Sequence, residues 1–311
     1  MTRLGDWLTK QGHFLIENDR LSLVYIAVLA LVPFTAWLSA AVVALITLRK
    51  GLADGLKGLV VAVVAYTALS SMSMAFPSAL ISAMVAFVPC YLTAAVLHTT
   101  ASWRIAGAVL VLQTLLLIAL IHGLVPEFIM KQYQYLQAVF QEMEKEGSGG
   151  ALSGLLGKQD EQAKQVMANY FIGIQSLTML LSAVSSLLLA RFVQSGMYYP
   201  GGFGQEMRAF RASSFGVVIL LLTAFGAYQL NPFAISCLPV LVMYYVCAGL
   251  SLSYLILAKN KGFGTLILLL IPLLFMPFVT VPVYTLLGAL DSLFNFRLHL
   301  PTKTGGKEKK G

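Results

Sequence analysis

Eight long apolar runs, none of which contains Asp, Glu, Lys or Arg, constrain this sequence more than any other feature. A helix of roughly 20 apolar residues crosses a hydrocarbon core about 30 Å thick, and most of the runs have about that length. The sequence therefore predicts an all-α, polytopic membrane bundle of about eight membrane elements. The runs are residues 21–48, 59–76, 79–97, 105–125, 171–190, 214–230, 233–258 and 263–290.

Composition supports the membrane assignment. The chain is 58% apolar and 11% charged, whereas soluble domains are roughly 45–50% apolar and about 25% charged. Residues 1–20 are polar and mixed in charge, so the first apolar run is predicted to be a retained anchor and not a removable signal peptide. The net charge of +8 comes from basic residues scattered through short loops and the tail, and we predict no nucleic-acid partner.

The distribution of Lys and Arg predicts the orientation of the chain. One set of loops is basic, whereas the turns at Pro77 and Asn231 have no Lys or Arg. We therefore predict a bacterial inner-membrane protein with the basic loops in the cytoplasm and segment 126–169 outside. The basic loops carry Arg49, Lys50, Lys57, Arg104, Arg191, Arg208, Arg211, Lys259 and Lys261.

The two ends of the chain leave two topologies open. Eight simple crossings would place both ends outside, although basic residues precede the first run and fill the predicted flexible tail 299–311. If the first and last runs are bent hairpins, both ends become cytoplasmic, which the charge rule favours. Each half of such a hairpin is too short for an ordinary crossing. The candidate break points are Pro33 in the first run and Pro272, Pro277 and Pro282 in the last.

These boundaries divide the chain into a cytoplasmic segment 1–20, membrane helices 21–125, an outward segment 126–169 and membrane helices 170–298. Apolar residues repeat at helical spacing in the outward segment. They predict an antiparallel helical hairpin with a flexible tip at 147–158; two separate amphipathic helices lying on the bilayer are the alternative. The first helix carries Ile129, Tyr133, Leu136, Phe140 and Met143, and the second carries Ala163, Met167, Tyr170 and Ile174.

The sequence of residues 194–212 predicts a cytoplasmic bend between two spans, which we call the elbow. Pro200 and Gly201 fit the centre of a turn, and a helix is expected from about Gln205 into the next span. The glycines lack the Lys and Ser/Thr of a phosphate-binding loop. We expect the elbow to contact anionic lipids or a cytoplasmic protein. The candidate contact residues are Arg191, Tyr198, Tyr199, Gly201, Gly202, Glu206, Arg208 and Arg211.

The absence of charge within the runs argues against proton pumping and against intramembrane acid–base catalysis. Cys90, Cys237 and Cys247 lack metal-ligand spacing, so we predict no enzyme activity, metal or cofactor. The remaining polar groups are neutral and either join helices or line a site for an uncharged or zwitterionic ligand. The candidate ligand-lining residues are Ser70, Ser71, Ser73, Gln113, Gln175, Ser176, Gln229 and Asn231, and the candidate helix-packing ridge is Ala36, Ala40 and Ala44.

Three segments resemble the YybS-like family of predicted bacterial membrane proteins: LRKGLADGLKG (48–58), ARFVQSGMYYPGGFGQEMRAFR (190–211) and LLGALDSLFNFR (286–297). The resemblance runs over most of the chain. That family is distantly similar in fold to the substrate-binding subunits of energy-coupling-factor transporters. The resemblance implies a helical core that can hold a small molecule, and it implies that a small-residue ridge, here Ala36, Ala40 and Ala44, contacts a membrane partner.

Asp291 and Arg297 in the last of these segments are six residues apart and are not helical neighbours. We expect each to have a structural role at the interface. The sequence as a whole predicts a solute-binding, non-enzymatic component of a transport system. The alternative is an envelope scaffold or interaction protein that uses the outward hairpin and the elbow.

Overall fold

The computed structural model describes residues 3–145, 160–257 and 263–299, which form thirteen α-helices, a final 3₁₀ turn and no strand. The predicted flexible tip 147–158 and the tail from residue 300 lie outside the described residues, as do Lys259 and Lys261. The helices are α1 (Arg3–Glu17), α2 (Asp19–Leu31), α3 (Ala36–Lys50), α4 (Leu52–Ser70), α5 (Phe76–Thr100), α6 (Trp103–Leu124), α7 (Pro126–Lys145), α8 (Glu161–Tyr198), α9 (Gly202–Ala209), α10 (Ser214–Tyr228), α11 (Pro232–Leu257), α12 (Phe263–Phe275) and α13 (Pro277–Phe294), followed by the 3₁₀ turn Phe296–His299.

Six of the described helices are long and apolar enough to cross a membrane: α4, α5, α6, α8, α11 and α13. A seventh span results if α9 and α10, which meet at an angle of 53°, are counted together. The structure therefore confirms an all-helical fold with several membrane helices, and the described residues contain six or seven candidate spans; the predicted count of about eight membrane elements remains a prediction. The difference arises mainly because the first apolar run is divided into two short helices.

The first apolar run is a hairpin that breaks at the candidate break point Pro33. Proline has no N–H to donate within a helix, and α2 ends just before it. Lys50 pairs with Asp19, and the Ser39 hydroxyl donates to the carbonyl of Ile26 at 2.9 Å. In each pair the two residues lie at nearly equal sequence distances from the break, so α2 and α3 run antiparallel. With 13 and 15 residues, they are about 20 and 22 Å long, which is less than a hydrocarbon core of about 30 Å.

The last apolar run is also a hairpin. Its break lies at Met276, immediately before Pro277, while the other two candidate prolines lie inside α12 and α13. The Tyr284 hydroxyl donates to the carbonyl of Leu269 at 3.0 Å. This pair is also centred on the break, so α12 and α13 lie side by side.

The 38-residue helix α8 organises the bundle. Helices α3, α5 and α11 pack directly on α8. Helix α3 also contacts α2 and α4, and α11 also contacts α10, α12 and α13. Helix α6 contacts α5, α8 and α11. The predicted small-residue ridge faces this interior, since Ala40 is 3% exposed and Ala44 is fully buried, and nearby the Ser186 hydroxyl of α8 donates to the carbonyl of Trp37 at 2.7 Å. Ala40 and Ala44 therefore offer no free surface to a partner.

Helices α11 and α13 approach each other closely. A Cβ atom on Gly249 would lie 2.0 Å from the carbonyl oxygen of Tyr284, and a Cβ atom on Gly288 would lie 2.1 Å from that of Tyr245. Only hydrogen fits at either position. The two glycines allow the backbones of the two helices to touch, as small residues do between membrane helices.

The structure gathers the basic loops at one end of the bundle, which we call the basic end. Gln194 at the end of α8 donates to the carbonyl of Leu48 at the end of α3, and Trp103 at the start of α6 donates to Glu206 of α9. The opposite end carries the uncharged turns at 71–75 and 229–231.

The N-terminal segment, which the sequence predicts only as polar, forms the helix α1. It packs on the last turns of α8 at the basic end. The contact is close because Gly12 faces Val193 and Gly196 faces Thr9, each with room for no more than a hydrogen.

At the opposite end α7 packs against the first part of α8. Ile129 and Tyr133 of α7 form a small apolar cluster with Ala168 and Ile172 of α8. This packing agrees with the predicted helical pair. Its position outside the membrane remains a prediction.

Candidate functional site

The elbow starts with the turn that the sequence predicts. Helix α8 ends at Tyr198, Gly201 has a φ of +90°, and the N–H of Gly202 donates to the carbonyl of Tyr199 at 3.0 Å. A Cβ atom on Gly202 would lie 2.1 Å from the Tyr199 ring. Glycine is therefore required at 201 by backbone conformation and at 202 by space.

The elbow does not continue into the next span, contrary to the prediction of one helix from about Gln205. Helix α9 begins at Gly202 and ends at Ala209, and residues 210–213 are non-helical. Hydroxyl groups of α11 fix this break: Tyr245 donates to the carbonyl of Ser213 at 2.7 Å, and Tyr244 accepts from the Ser213 N–H at 2.9 Å. The backbone groups released from the helix are thus satisfied by side chains of α11.

An ion pair fastens α9 to α8. Arg191 binds the Glu206 carboxylate through two nitrogens, with Nε at 2.9 Å from Oε2, and the Trp103 indole N–H donates to the same Oε2 at 2.7 Å. Burial alone raises the pKa of the Glu206 carboxyl, but the hydrogen bonds from Arg191 and Trp103 and the charge of Arg191 outweigh it, so the pKa lies below its usual 4.5. The carboxylate therefore stays charged at neutral pH and joins three helices.

Arg211 closes the other end of the elbow. Its Nε donates to the carbonyl of Asp291 at 2.9 Å, and its Nη2 donates to the carbonyl of Ser292 at 2.8 Å. These carbonyls lie in the last turn of α13, where a cation also interacts favourably with the helix dipole.

Arg297 adds a second connection to the elbow. Asn295, with a φ of +50°, reverses the chain after α13. Arg297 then binds the Asp291 carboxylate at 2.7 Å and also donates to the carbonyl of Arg208 and to the Ser251 hydroxyl. Asp291 is fully buried, and within the described part of the chain its Oδ1 has no hydrogen-bond partner.

The remaining elbow residues face outward or cover neighbouring side chains. Tyr199 is 64% exposed and Tyr198 is 43% exposed; the guanidinium of Arg49 lies 3.9 Å from the centre of the Tyr198 ring. Arg208 lies over the ring of Tyr254 at 5.7 Å. Of the predicted contact residues, Arg191, Glu206 and Arg211 are bound within the protein. Lipid or partner contact by the others remains a prediction.

The candidate ligand-lining residues belong to different parts of the bundle. Ser70, Ser71 and Ser73 lie at the turn between α4 and α5, where the last two hydroxyls donate to nearby backbone carbonyls. Gln229 and Asn231 lie at the turn between α10 and α11, in the other helix group, and Asn231 caps α11 by accepting from the Ala234 N–H.

The other three candidates lie along α6 and α8. Gln113 of α6 donates to the Thr93 hydroxyl of α5 at 3.4 Å. On α8, Ser176 is buried and Gln175 is exposed. The described structure therefore supports separate helix contacts and does not bring the eight residues into one site.

A polar cluster near the opposite end joins α6, α8 and α11. Its members are His122, Asn169 and Ser236. His122 Nε2 lies 3.0 Å from the side-chain oxygen Oδ1 of Asn169, and the Ser236 hydroxyl donates to the backbone carbonyl of Asn169 at 2.9 Å. None of these three residues is singled out by the sequence analysis. No spacing signal could have found the cluster, because the three residues come from helices far apart in the chain.

Within the described ranges no group of His, Cys, Asp or Glu side chains could hold a metal ion. The family model described as "Predicted membrane protein (DUF2232)" matches residues 21–292 of the chain. No curated protein matches the chain, and no solved structure matches it.

Proposed function

Since this chain belongs to the DUF2232 family of predicted membrane proteins, we propose that it is a non-enzymatic interaction protein of the bacterial inner membrane. Its elbow, on the cytoplasmic side by the charge rule, docks an acidic surface of another protein. Membership of the YybS-like family, which three segments of the sequence resemble, is part of the same proposal.

The observation that carries this proposal is the rigid attachment of an exposed surface. Residues 191–213 are tied to α6, α11 and α13 by the bonds of Glu206, Ser213 and Arg211, respectively. The exposed side of the elbow nevertheless presents Tyr199 and Arg208. Tyrosine and arginine are enriched where binding energy concentrates in interfaces, and a surface that is already ordered loses little entropy when a partner binds.

Photo-crosslinking in cells tests this assignment. A benzophenone amino acid at Tyr199 should give adducts with protein, whereas the same group at Tyr228, which is 80% exposed at the opposite end, is the matched control. Arg208→Glu should reduce the adducts at position 199, because it replaces the exposed cation with an anion. Adducts with lipid alone at position 199, or equal protein adducts at both positions, would overturn the proposal.

A second candidate function is a solute-binding component of a transport system, as the similarity to energy-coupling-factor subunits implies. One observation favours it: the Thr67 hydroxyl of α4 is buried and has no partner among the described residues. Buried polar groups usually have a partner, so a neutral polar ligand could accept from this hydroxyl. A solute that raises the midpoint of thermal unfolding of the wild type, but not of Thr67→Val, would support it; equal stabilisation of both would count against this site.

A further inference from the structure

A groove of about 520 Å³ lies between the first turns of α6 and α10, both of which pack on α11. Its polar end is formed by Ser102, Arg104 and Ser213. The groove is at the basic end of the bundle, and of its lining residues only Ser213 belongs to the elbow. It is of a size that holds small molecules, since ligand pockets measure about 300–1,000 Å³.

The other end of the groove is apolar and follows α6 into the membrane. Ile105, Ala108, Val109 and Leu112 form this wall, and Leu112 is 65% exposed. Helix α10, which follows Ser213, is also apolar and exposed on one side, with Phe215, Val218, Leu221, Leu222 and Phe225 each at least half exposed. The groove therefore opens towards the region that acyl chains occupy.

Arg104 differs from three other arginines of the basic end. Arg191, Arg211 and Arg297 each bind a carboxylate or a helix carbonyl, whereas Arg104 makes no hydrogen bond or ion pair with any described residue. The Ser213 hydroxyl also has no hydrogen-bond partner in the described ranges. The mouth of the groove thus carries a guanidinium and a hydroxyl that are both available to an anion.

We propose that this groove binds one anionic phospholipid. The phosphate lies against Arg104, Ser102 and Ser213, and one acyl chain lies along the apolar wall. Guanidinium groups bind phosphate by strong, charge-assisted hydrogen bonds. A soluble phosphate compound would use only the polar mouth, whereas the apolar wall and its opening towards the bilayer fit a lipid. The inference does not depend on the proposed docking function.

Native mass spectrometry of the full chain tests this site. The protein is reconstituted in nanodiscs of phosphatidylglycerol and phosphatidylcholine at a ratio of one to nine, extracted in mild detergent and scored for retained lipid. We expect one retained phosphatidylglycerol on the wild type. Retention should fall about fivefold in Arg104→Gln, in line with the contribution of one basic side chain near an anionic surface.

Arg20→Gln is the matched control, because Arg20 is an exposed cation at the same end of the bundle and is not part of the groove. This variant should retain as much phosphatidylglycerol as the wild type. Ala108→Phe, which fills the groove without removing a charge, should also lower retention.

Three results would overturn the assignment. The first is unchanged retention in both Arg104→Gln and Ala108→Phe when both elute as folded protein. The second is an equal loss in Arg20→Gln. The third is displacement of the lipid by inorganic phosphate at millimolar concentration, which would show that the polar mouth alone provides the affinity.

Discussion

Arg297 binds the buried carboxylate of Asp291 at 2.7 Å, although the two residues are six positions apart and belong to different structural elements. The left-handed residue Asn295 makes this contact possible by turning the chain back after α13. Because Arg297 also donates to the Arg208 carbonyl and the Ser251 hydroxyl, the pair connects the end of α13 to the elbow and to α11.

Arg297→Gln should therefore destabilise the protein. It leaves a fully buried carboxylate without its cation, which costs about 3 kcal/mol in comparable cases. The measurement is the midpoint of thermal unfolding in detergent. Asp291→Asn combined with Arg297→Gln should recover part of the loss, because the uncompensated charge is then absent. A single variant as stable as the wild type would contradict this account of the pair.

The Arg191–Glu206 pair predicts a pH-dependent contribution to stability. The pKa of Glu206 in the folded protein is lowered from 4.5, so the pair contributes its full stabilisation above about that pH. The contribution is lost as the pH falls through the lowered pKa. Because both side chains are about a quarter exposed, we expect about 1 kcal/mol at most after screening.

Thermal unfolding of the wild type and of Glu206→Gln from pH 7 to pH 3 measures this contribution. The difference in midpoint should be constant at the upper end of the range and should shrink in acid. A difference that grows as the pH falls would have the wrong sign.

Gly249→Ala and Gly288→Ala should each separate α11 from α13. The added methyl group would lie about 2 Å from a backbone carbonyl of the facing helix, and backbone cannot move aside as a flexible side chain can. We expect a loss of about 1–3 kcal/mol, as for other overpacked sites. Gly123→Ala, where no atom lies within 4 Å of the new methyl group, is the control. Equal midpoints for all three variants would show that the two helices are not in close contact.

The short lengths of α2 and α3 predict that the tip of the first hairpin stays inside the bilayer. Phe34 at the tip is 95% exposed, and Met72 at the turn between α4 and α5 is 86% exposed, but α2 and α3 are each too short to reach the far surface. In a chain without its native cysteines, Met72→Cys should react with a membrane-impermeant maleimide in proteoliposomes. Phe34→Cys should react from neither side. Equal labelling of the two positions would show a complete crossing by α2.

Local features of the sequence predicted the elements whose causes are local. Pro33 and Pro277 mark the breaks of the two hairpins, and Pro200 with Gly201 marks the elbow turn, because proline and glycine act on their own backbone. The break after Ala209 was missed, since its cause is the pair of hydroxyls on Tyr244 and Tyr245 in a later helix.

The contacts of the candidate site were harder to predict. Asp291 and Arg297 are not neighbours on one helix, as their spacing predicts, but the spacing gives no sign that the chain reverses at Asn295 and brings them together. Helix α1 has a signal in the sequence, because Leu8 and Leu15 repeat at helical spacing, and both face inward. The sequence does not show which helices pack together, so it could not show that the eight neutral polar residues lie in different parts of the bundle.

The two short hairpins also bear on how the chain is made. Each hairpin begins and ends at the basic end of the bundle. The turns at 32–35, 71–75, 229–231 and 276 contain no charged residue. Of the described connections at the opposite end, only the one formed by α7 and the start of α8 carries charge. If the basic end is cytoplasmic, as the charge rule predicts, an insertase has to export a single charged stretch of the described chain during biosynthesis, and every other described transfer across the bilayer involves neutral chain.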